Sequence, residues 1–333
     1  MNDTGYCTFG KRMASTDLEV DLVYLWVNGS DPRWCNRKNY WLRFADSSER
    51  ELAVPERWQD NDELKYSLRS VEAYAPWIHH IFIVTDRQYP AWLKRNHPKI
   101  TIVDHRYFIP EEYLPVFCAD AIESFVPYIP ELGECFLFAN DDMFFGRPVT
   151  EKLFYDDNGN PIVKVKKLAP RDFYKNAHLQ DMYLDDIKLA SRVRANILVS
   201  RKFSIPLNWE GGHVIDPYRK SFMLEALEEP DFKDSIQVSR THRFRSPEAV
   251  QRVLFSLYDF ARGRTTLKNV KEWKELIRVF APCKIPFYLC NERDLAKCLR
   301  IRPEMFCYYV GDYYAALHQF FETYFPNKSS FEI

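Results

Sequence analysis

CFLFANDD, residues 135–142, sets five apolar residues directly against an amide and two adjacent carboxylates. A short apolar run bounded by polar residues reads as a buried strand, with the Asn140-Asp141-Asp142 triplet at its carboxyl end. Upstream, residues 20–27 (VDLVYLWV) form a β-branched run stopped by the turn Asn28-Gly29-Ser30-Asp31-Pro32. Residues 80–85 (HIFIVT) and 100–104 (ITIVD) repeat the strand pattern. Between these runs, residues 60–75 carry helical spacing, with Leu64, Leu68, Val71 and Ala75 on one face and Pro76 as the stop. Asp60 suits the N-cap, and Glu63 completes a capping box. Residues 119–126 read as a short helix. Strand, helix, strand, strand, helix, strand describes an α/β fold with a mainly parallel sheet. Ligands of such sheets lie beyond the strand carboxyl ends, where residues 28–31 and 140–142 both fall.

The spacing divides the chain into a polar N-terminal segment (1–16), an α/β half (17–155) and a more helical half (156–333) that completes the site. Residues 156–161 (DDNGNP) are a turn, and 172–200 mix helix with loop. A helix is expected over 217–229, with Pro217 in its first turn. Another is expected from Ser246 as cap and Pro247 at N1, burying Val250, Val253, Leu254 and Leu257 and ending at Gly263. An aromatic-rich helix closes the chain over 311–325.

At 333 residues and 46% hydrophobic, the chain is long enough for one large domain or two intimate lobes. Aromatic residues make up 16%, a density that fills cores and also lines sugar and nucleobase sites. A net charge of -1 argues against nucleic-acid binding through a globally basic surface. Basic residues are nonetheless grouped: Lys164, Lys166 and Lys167, then Arg192, Arg194, Arg201 and Lys202, then Arg240, Arg243 and Arg245. They form either a solvated face or a track for phosphates, an anionic acceptor or a membrane surface. No apolar run reaches the roughly 18–20 residues of a membrane span, and residues 1–16 lack the apolar core of a secretory signal. The expectation is a cytoplasmic protein, at most peripheral at the inner face of the cell membrane. The eight cysteines read as reduced thiols, and Cys283, Cys290, Cys298 and Cys307 lack the paired spacing of a zinc site.

Asp141 and Asp142 offer hard oxygen ligands for Mg²⁺ or Mn²⁺, which such sites share with substrate phosphates. Asn140 adds a carbonyl ligand or a donor to a sugar. A solvated turn accounts for the triplet as well. Turn chemistry likewise accounts for Asn28 to Pro32; in a functional loop, Gly29 brings backbone close to a phosphate while Trp26 or Asn28 meets a base or ribose. His213 follows Gly211-Gly212 and is either a satisfied loop histidine or a general base. Arg243 and Arg245 carry guanidinium forks that match phosphate oxygens, or make surface ion pairs.

In this order the pieces resemble the Stealth family of sugar-phosphate transferases, which includes bacterial capsular polysaccharide phosphotransferases. Four regions carry the resemblance. The first is DLVYLWVNGSDP from Asp21. The second is DNDELKYSLRSVEAYAPWIHHIFIVTDRQYPAWL from Asp60, continuing through Leu114-Pro115, Ala121-Ile122-Glu123-Ser124 and Asn140-Asp141-Asp142-Met143-Phe144-Phe145-Gly146. The third is His213 with Arg219-Lys220-Ser221 and Arg245-Ser246-Pro247-Glu248, and the fourth is FYLCNE from Phe287. The chain departs from the family at Glu292, where members often carry Asp, and has two arginines, Arg243 and Arg245, for one family position. Spacing to Ser246 favours Arg245.

The resemblance implies a nucleotide-diphosphosugar transferase (GT-A-like) fold with a Rossmann-like sheet. It implies transfer of a sugar-1-phosphate from a UDP-sugar to an oligosaccharide or polysaccharide hydroxyl, with release of UMP. Asp141, Asp142 and Asn291 are then the metal-site residues, with Asp142 also catalytic, and His213 and Arg245 are the base and the charge stabiliser. Trp26, Asn28, Gly29, Asp31, Asp60, Asn61, Arg69, Asn140 and Arg243 are the substrate-binding candidates. A metal-dependent glycosyltransferase that releases UDP and a non-catalytic sugar-binding protein remain the alternatives.

Overall fold

The computed structural model describes residues 18–168, 187–269, 276–280, 292–309 and 315–333. Its central sheet takes β1 (Val20–Leu25), β2 (Ile81–Thr85), β3 (Ile100–Asp104), β4 (Cys135–Asn140) and β8 (Asp216–Arg219) in the order β3-β2-β1-β4-β8. β1, β2, β3 and β4 run parallel, and β8 closes the edge antiparallel to β4. The chain leaves β1 towards β2 and β3 on one side and returns as β4 on the other, so β1 and β4 flank the point where strand order reverses. Their register sets Leu25 beside Asn140, aligning the two carboxyl ends.

The strands alternate into two cores, as the two-residue period of a sheet demands. Val23, Phe82, Val84, Phe136 and Phe138 face one core; Leu22, Tyr24, Ile81, Ile83 and Leu137 face the other. A parallel sheet covered on both faces needs such continuously apolar strands. Two three-stranded sheets flank it. One is β7 (Trp209–Gly211), β6 (Ile162–Lys167) and β9 (Thr266–Asn269); the other is β10 (Leu276–Phe280), β11 (Met305–Tyr309) and β5 (Met143–Phe145). The second half thus carries strands as well as the expected helices. In chain order the helices are α1 (Pro32–Leu42), α2 (Ser47–Leu52), α3 (Glu63–Tyr74), α4 (Ala119–Glu123), α5 (Ile187–Phe203), α6 (Lys220–Leu227), α7 (Pro230–Thr241), α8 (Val253–Ala261), α9 (Glu292–Ile301) and α10 (Ala315–Tyr324).

Helix boundaries differ from the sequence reading in several places, and the short helix expected over 119–126 ends at Glu123. The Asp60–Glu63 capping box does not form: α3 begins at Glu63 behind Asp62, which has φ 67° and no side-chain cap bond. The carboxylate of Asp60 instead accepts from the Asp62 N–H two residues on (3.2 Å), a local turn that competes with capping. Glu63 accepts from the backbone N–H (2.5 Å) and Nδ2 (2.8 Å) of Asn61. Pro217 sits in β8 rather than in a helix; on an edge strand its missing N–H is tolerated. The helix expected from Ser246 begins only at Val253. Val250 N–H is taken by Ser239 Oγ (2.7 Å) and Gln251 N–H by the Ser191 carbonyl (3.3 Å), so neither enters a helical ladder. Val250, Val253, Leu254 and Leu257 are all buried, and Gly263 ends the segment at φ 71°.

Arg69, 5% exposed, donates to both carboxylate oxygens of Glu332 (2.8 and 2.9 Å) and to the Phe325 carbonyl (2.8 Å). It therefore ties α3 to the C-terminal segment. Cys298 and Cys307 are buried, while Cys283 and Cys290 lie outside the described residues. Among the described residues, no helix is long and apolar enough to cross a membrane.

Candidate active site

The carboxyl ends of β1 to β4 open onto one cavity of about 630 Å³. Leu25, Trp26 and Val27 reach it from β1, Val84 and Asp86 from β2, His105 from beyond β3, and Asn140, Asp141 and Asp142 from β4. Gly211, His213 and Arg245 line it from the second half of the chain.

His213 is fixed from both sides. β7 pairs with β6, setting Val165 beside Gly211, and the Gly212 N–H extends the pairing to the Lys164 carbonyl (2.7 Å). Val214 and Ile215 are then buried in the core. The residue between adopts φ 54°, a left-handed conformation, and places its imidazole Nε2 3.9 Å from Asp142 Oδ2. A Cβ added at Gly211 would meet nothing within 4 Å, so this glycine leaves the cavity wall open rather than easing a protein contact.

Phe244 and Arg245 both line the cavity, whereas Arg243 is held away from it. Phe244 is buried and stacks on Phe117 with ring centroids 5.1 Å apart. Arg243 donates to the carbonyls of Tyr113 (2.9 Å) and Pro115 (3.1 Å), with its guanidinium 4.1 Å from the Trp41 ring centroid. Of the two arginines, Arg245 is the one at the cavity.

Carboxylates crowd the β4 end. Burial raises Asp141 well above the usual carboxylate range, and Asp142, Glu63 and Asp60 push it further. Asp60 is itself pushed up to about 7 by burial and then by Glu63 and Asp62. Among the described residues, no three His, Cys, Asp or Glu side chains converge as a ready-made metal cage. Asn291 lies outside the described residues.

Several candidates from the sequence are not among the residues that line the cavity. Asn28 accepts from Ser30 N–H through Oδ1 (2.8 Å), and its backbone exchanges bonds with the Gln88 amide (3.0 and 2.8 Å). Asp31 caps α1, accepting from Arg33 N–H (2.8 Å) and Trp34 N–H (3.4 Å). A Cβ on Gly29 would fall 2.2 Å from the Trp58 carbonyl oxygen, so close approach of backbone requires glycine there; the backbone it meets belongs to the protein. Asn61 is engaged with Glu63, and Arg69 with Glu332.

The structure adds residues that the sequence did not single out as a unit. Arg252 donates to Glu123 (2.7 Å) and Asp216 (3.3 Å) and lies 4.7 Å from the Phe138 ring centroid, on the cavity floor. Burial pushes Glu123 up to about 7 against the pull of Arg252; burial opposes the charge on Arg252, but Glu123, Tyr218 and Asp216 outweigh it. Glu123 falls in a quoted motif, whereas nothing local marks Arg252 or Asp216. Arg192 and Lys166 both pair with Glu210 at the cavity. Other members of the basic groups are used away from it: Lys202 pairs with Glu229 (2.6 Å) and Asp231 (3.0 Å), and Arg240 bonds Ser124 (3.0 Å).

Residues 19–43 match the model of Stealth protein CR1, conserved region 1, and residues 57–163 match that of Stealth protein CR2, conserved region 2. The chain is 30% identical over 272 residues to the receptor polysaccharide phosphotransferase WefC of Streptococcus oralis, covering 76% of this chain and 81% of that one. The chain belongs to the Stealth family. It is also 32% identical over 341 residues to an exopolysaccharide phosphotransferase of Streptomyces coelicolor, covering 97% of this chain but only 34% of that protein. Among solved structures, the bifunctional glycosyltransferase WbbM superposes with a TM-score of 0.44 at 11% identity, over 94% of this chain and 50% of that one. The α/β assignment rests on the sheet topology itself. Within this Stealth chain, Asn140, Asp141, Asp142 and Glu123 fall inside the second matched region, and His213 and Arg245 fall outside both.

Proposed function

We propose that the chain transfers a hexose- or N-acetylhexosamine-1-phosphate from a UDP-sugar to a hydroxyl of a capsular or exopolysaccharide glycan, forming a phosphodiester and releasing UMP. One observation carries this reading: His213 Nε2 stands 3.9 Å from Asp142 Oδ2 on a cavity that Arg245 also lines. A proton acceptor, a carboxylate pair and a guanidinium around one space meet the two demands of phosphoryl transfer, positioning and charge stabilisation.

His213 takes the proton of the acceptor hydroxyl as that oxygen bonds to the phosphorus attached to the sugar. The bond from that phosphorus to the bridging oxygen breaks, and UMP departs with the electron pair. Arg245 holds the oxygens of the transferred phosphoryl group. Asp141 and Asp142 suit a Mg²⁺ or Mn²⁺ ion: their carboxylates are hard ligands, and the like-charge crowding at Asp141 is what a divalent cation offsets. The ion supplies positive charge for the diphosphate and the departing nucleotide. Asp141 and Asp142 would hold such an ion together with oxygens of the substrate diphosphate.

Incubation with a panel of UDP-sugars and glycan acceptors, read by mass spectrometry, tests the reading. UMP and a product heavier by a sugar phosphate are expected, and both disappear with EDTA. Release of UDP with a simple glycoside product overturns it, as does full activity in EDTA.

A further inference from the structure

The outer face of α1 does not belong to the cavity, yet it begins at its rim. Trp34 and Trp58 line the cavity, and Lys38 bridges outward over both rings, with Nζ 5.5 Å and 4.3 Å from their centroids. Beyond Lys38, Tyr40 is 52% exposed and Phe44 is 69% exposed. Tyr40, Trp41 and Phe44 meet edge to face, with centroids 5.5–6.1 Å apart. Such rings are costly to leave in water when a core is within reach.

Charge on this segment has one sign. Residues 32–45 include Arg33, Arg37, Lys38 and Arg43 and no Asp or Glu. Arg37 is spent on Asp86 (2.8 Å), while Arg33 and Arg43 are exposed. Arg33, Asn36, Tyr40, Arg43 and Phe44 are all exposed and follow helical spacing along one face. Cation, amide, aromatic ring, cation and aromatic ring therefore follow one another along α1 and into the turn after Leu42. A bilayer anchor needs a continuous apolar stripe, and Asn36 and Arg43 interrupt this one. A phosphodiester-linked glycan presents sugar-ring faces, hydroxyls and anionic charge in alternation, which this face complements.

We infer that the exposed face of α1 is a docking track for the phosphodiester-linked polysaccharide chain, holding it while one end lies in the cavity. The inference rests on the proposed phosphotransfer for the link between track and chemistry. It adds a binding surface to it: aromatic rings carry sugar faces, and Arg33 and Arg43 pair with phosphodiesters.

The probes are phosphomannan (a mannan bearing phosphodiesters), neutral dextran, and vesicles of phosphatidylcholine with phosphatidylglycerol. The wild-type chain is expected to be retarded in gels containing phosphomannan, less so in dextran, and less as salt screens the cations. Tyr40→Ala with Phe44→Ala should weaken retention about tenfold, the scale of losing two ring contacts. Arg33→Gln with Arg43→Gln should remove most of the salt dependence. Tyr40→Trp with Phe44→Trp should restore retention, which separates loss of stacking from misfolding. Turnover of a short acceptor should be unchanged in the double alanine variant, and turnover of polymer reduced. Equal retention of wild type and variants overturns the track, as does vesicle capture through these same residues without phosphomannan binding. UMP release with no track effect leaves phosphotransfer standing and removes only the track. Phosphomannan binding through this face without UMP release does the reverse.

Discussion

Two loops follow parallel strands and look alike in sequence, yet the structure spends them differently. The loop after β1, residues 28–31, closes upon the protein: Asn28 on Ser30 and Gln88, Gly29 against Trp58, Asp31 on the first turn of α1. The triplet after β4 crowds instead, with Asp141 driven up by burial and by Asp142, Glu63 and Asp60, and with Asp142 facing His213. Both stand at the sheet's functional end. The difference is satisfaction: the polar groups of the first loop are spent on neighbouring protein, and the second accumulates charge that a ligand can relieve.

That contrast is open to direct attack, and the largest effects belong to the second loop. His213→Ala should lower kcat by about 10²–10⁴-fold, the usual worth of a general base, with UDP-sugar binding still measurable by calorimetry. Asp142→Asn should lower activity and its dependence on Mg²⁺ together; a variant with unchanged metal titration would remove Asp142 from the site.

Gly29→Ala should act on stability, costing about 1–3 kcal/mol by forcing a methyl group against the Trp58 carbonyl. Asp31→Ala should cost about 1 kcal/mol, the typical loss of an N-cap, with KM little changed. Denaturant unfolding and steady-state kinetics check both. A large KM rise in Asp31→Ala at preserved stability would move this loop from a structural role to ligand binding.

The same crowding is open to a test in pH dependence. Asp60 has a folded pKa of about 7 against an ordinary 3.8, so its charged form opposes folding. Its contribution becomes unfavourable as pH rises from about 4 to about 7, by linkage between protonation and stability. Asp60→Asn should flatten the fall of Tm across that window. Mg²⁺ should raise Tm more at pH 8 than at pH 5. An identical pH profile in the variant contradicts the crowding at this strand end.

Much of this frame was legible because period and position are local. Residues 20–27, 80–85, 100–104 and 135–139 are short, predominantly apolar runs, and covered parallel strands require them. His213 and Arg245 stood out by residue type and, through the family resemblance, by order along the chain. What sequence did not show is which polar groups are already spoken for. Asp60 and Glu63 matched a capping box, but the Asp60 turn and the Glu63–Asn61 bonds are three-dimensional choices. Ser246-Pro247-Glu248 carried a helix-start signal, overridden because Ser239 and Ser191 take the next N–H groups. Arg252, Glu123 and Asp216 are 36 to 129 positions apart pairwise along the contacts that join them, so no window of sequence brings them together.

The central claim is that bond breaking occurs between phosphorus and the UMP oxygen at the Asp142–His213–Arg245 site. A UDP-sugar carrying heavy oxygen in the anomeric position, between sugar carbon and phosphorus, tests it most directly. Phosphate transfer predicts that the label stays with the sugar in the phosphodiester product, that unlabelled UMP appears in equal amount, and that His213→Ala loses both. Label leaving in UDP, with an unlabelled glycosidic product, would contradict the account.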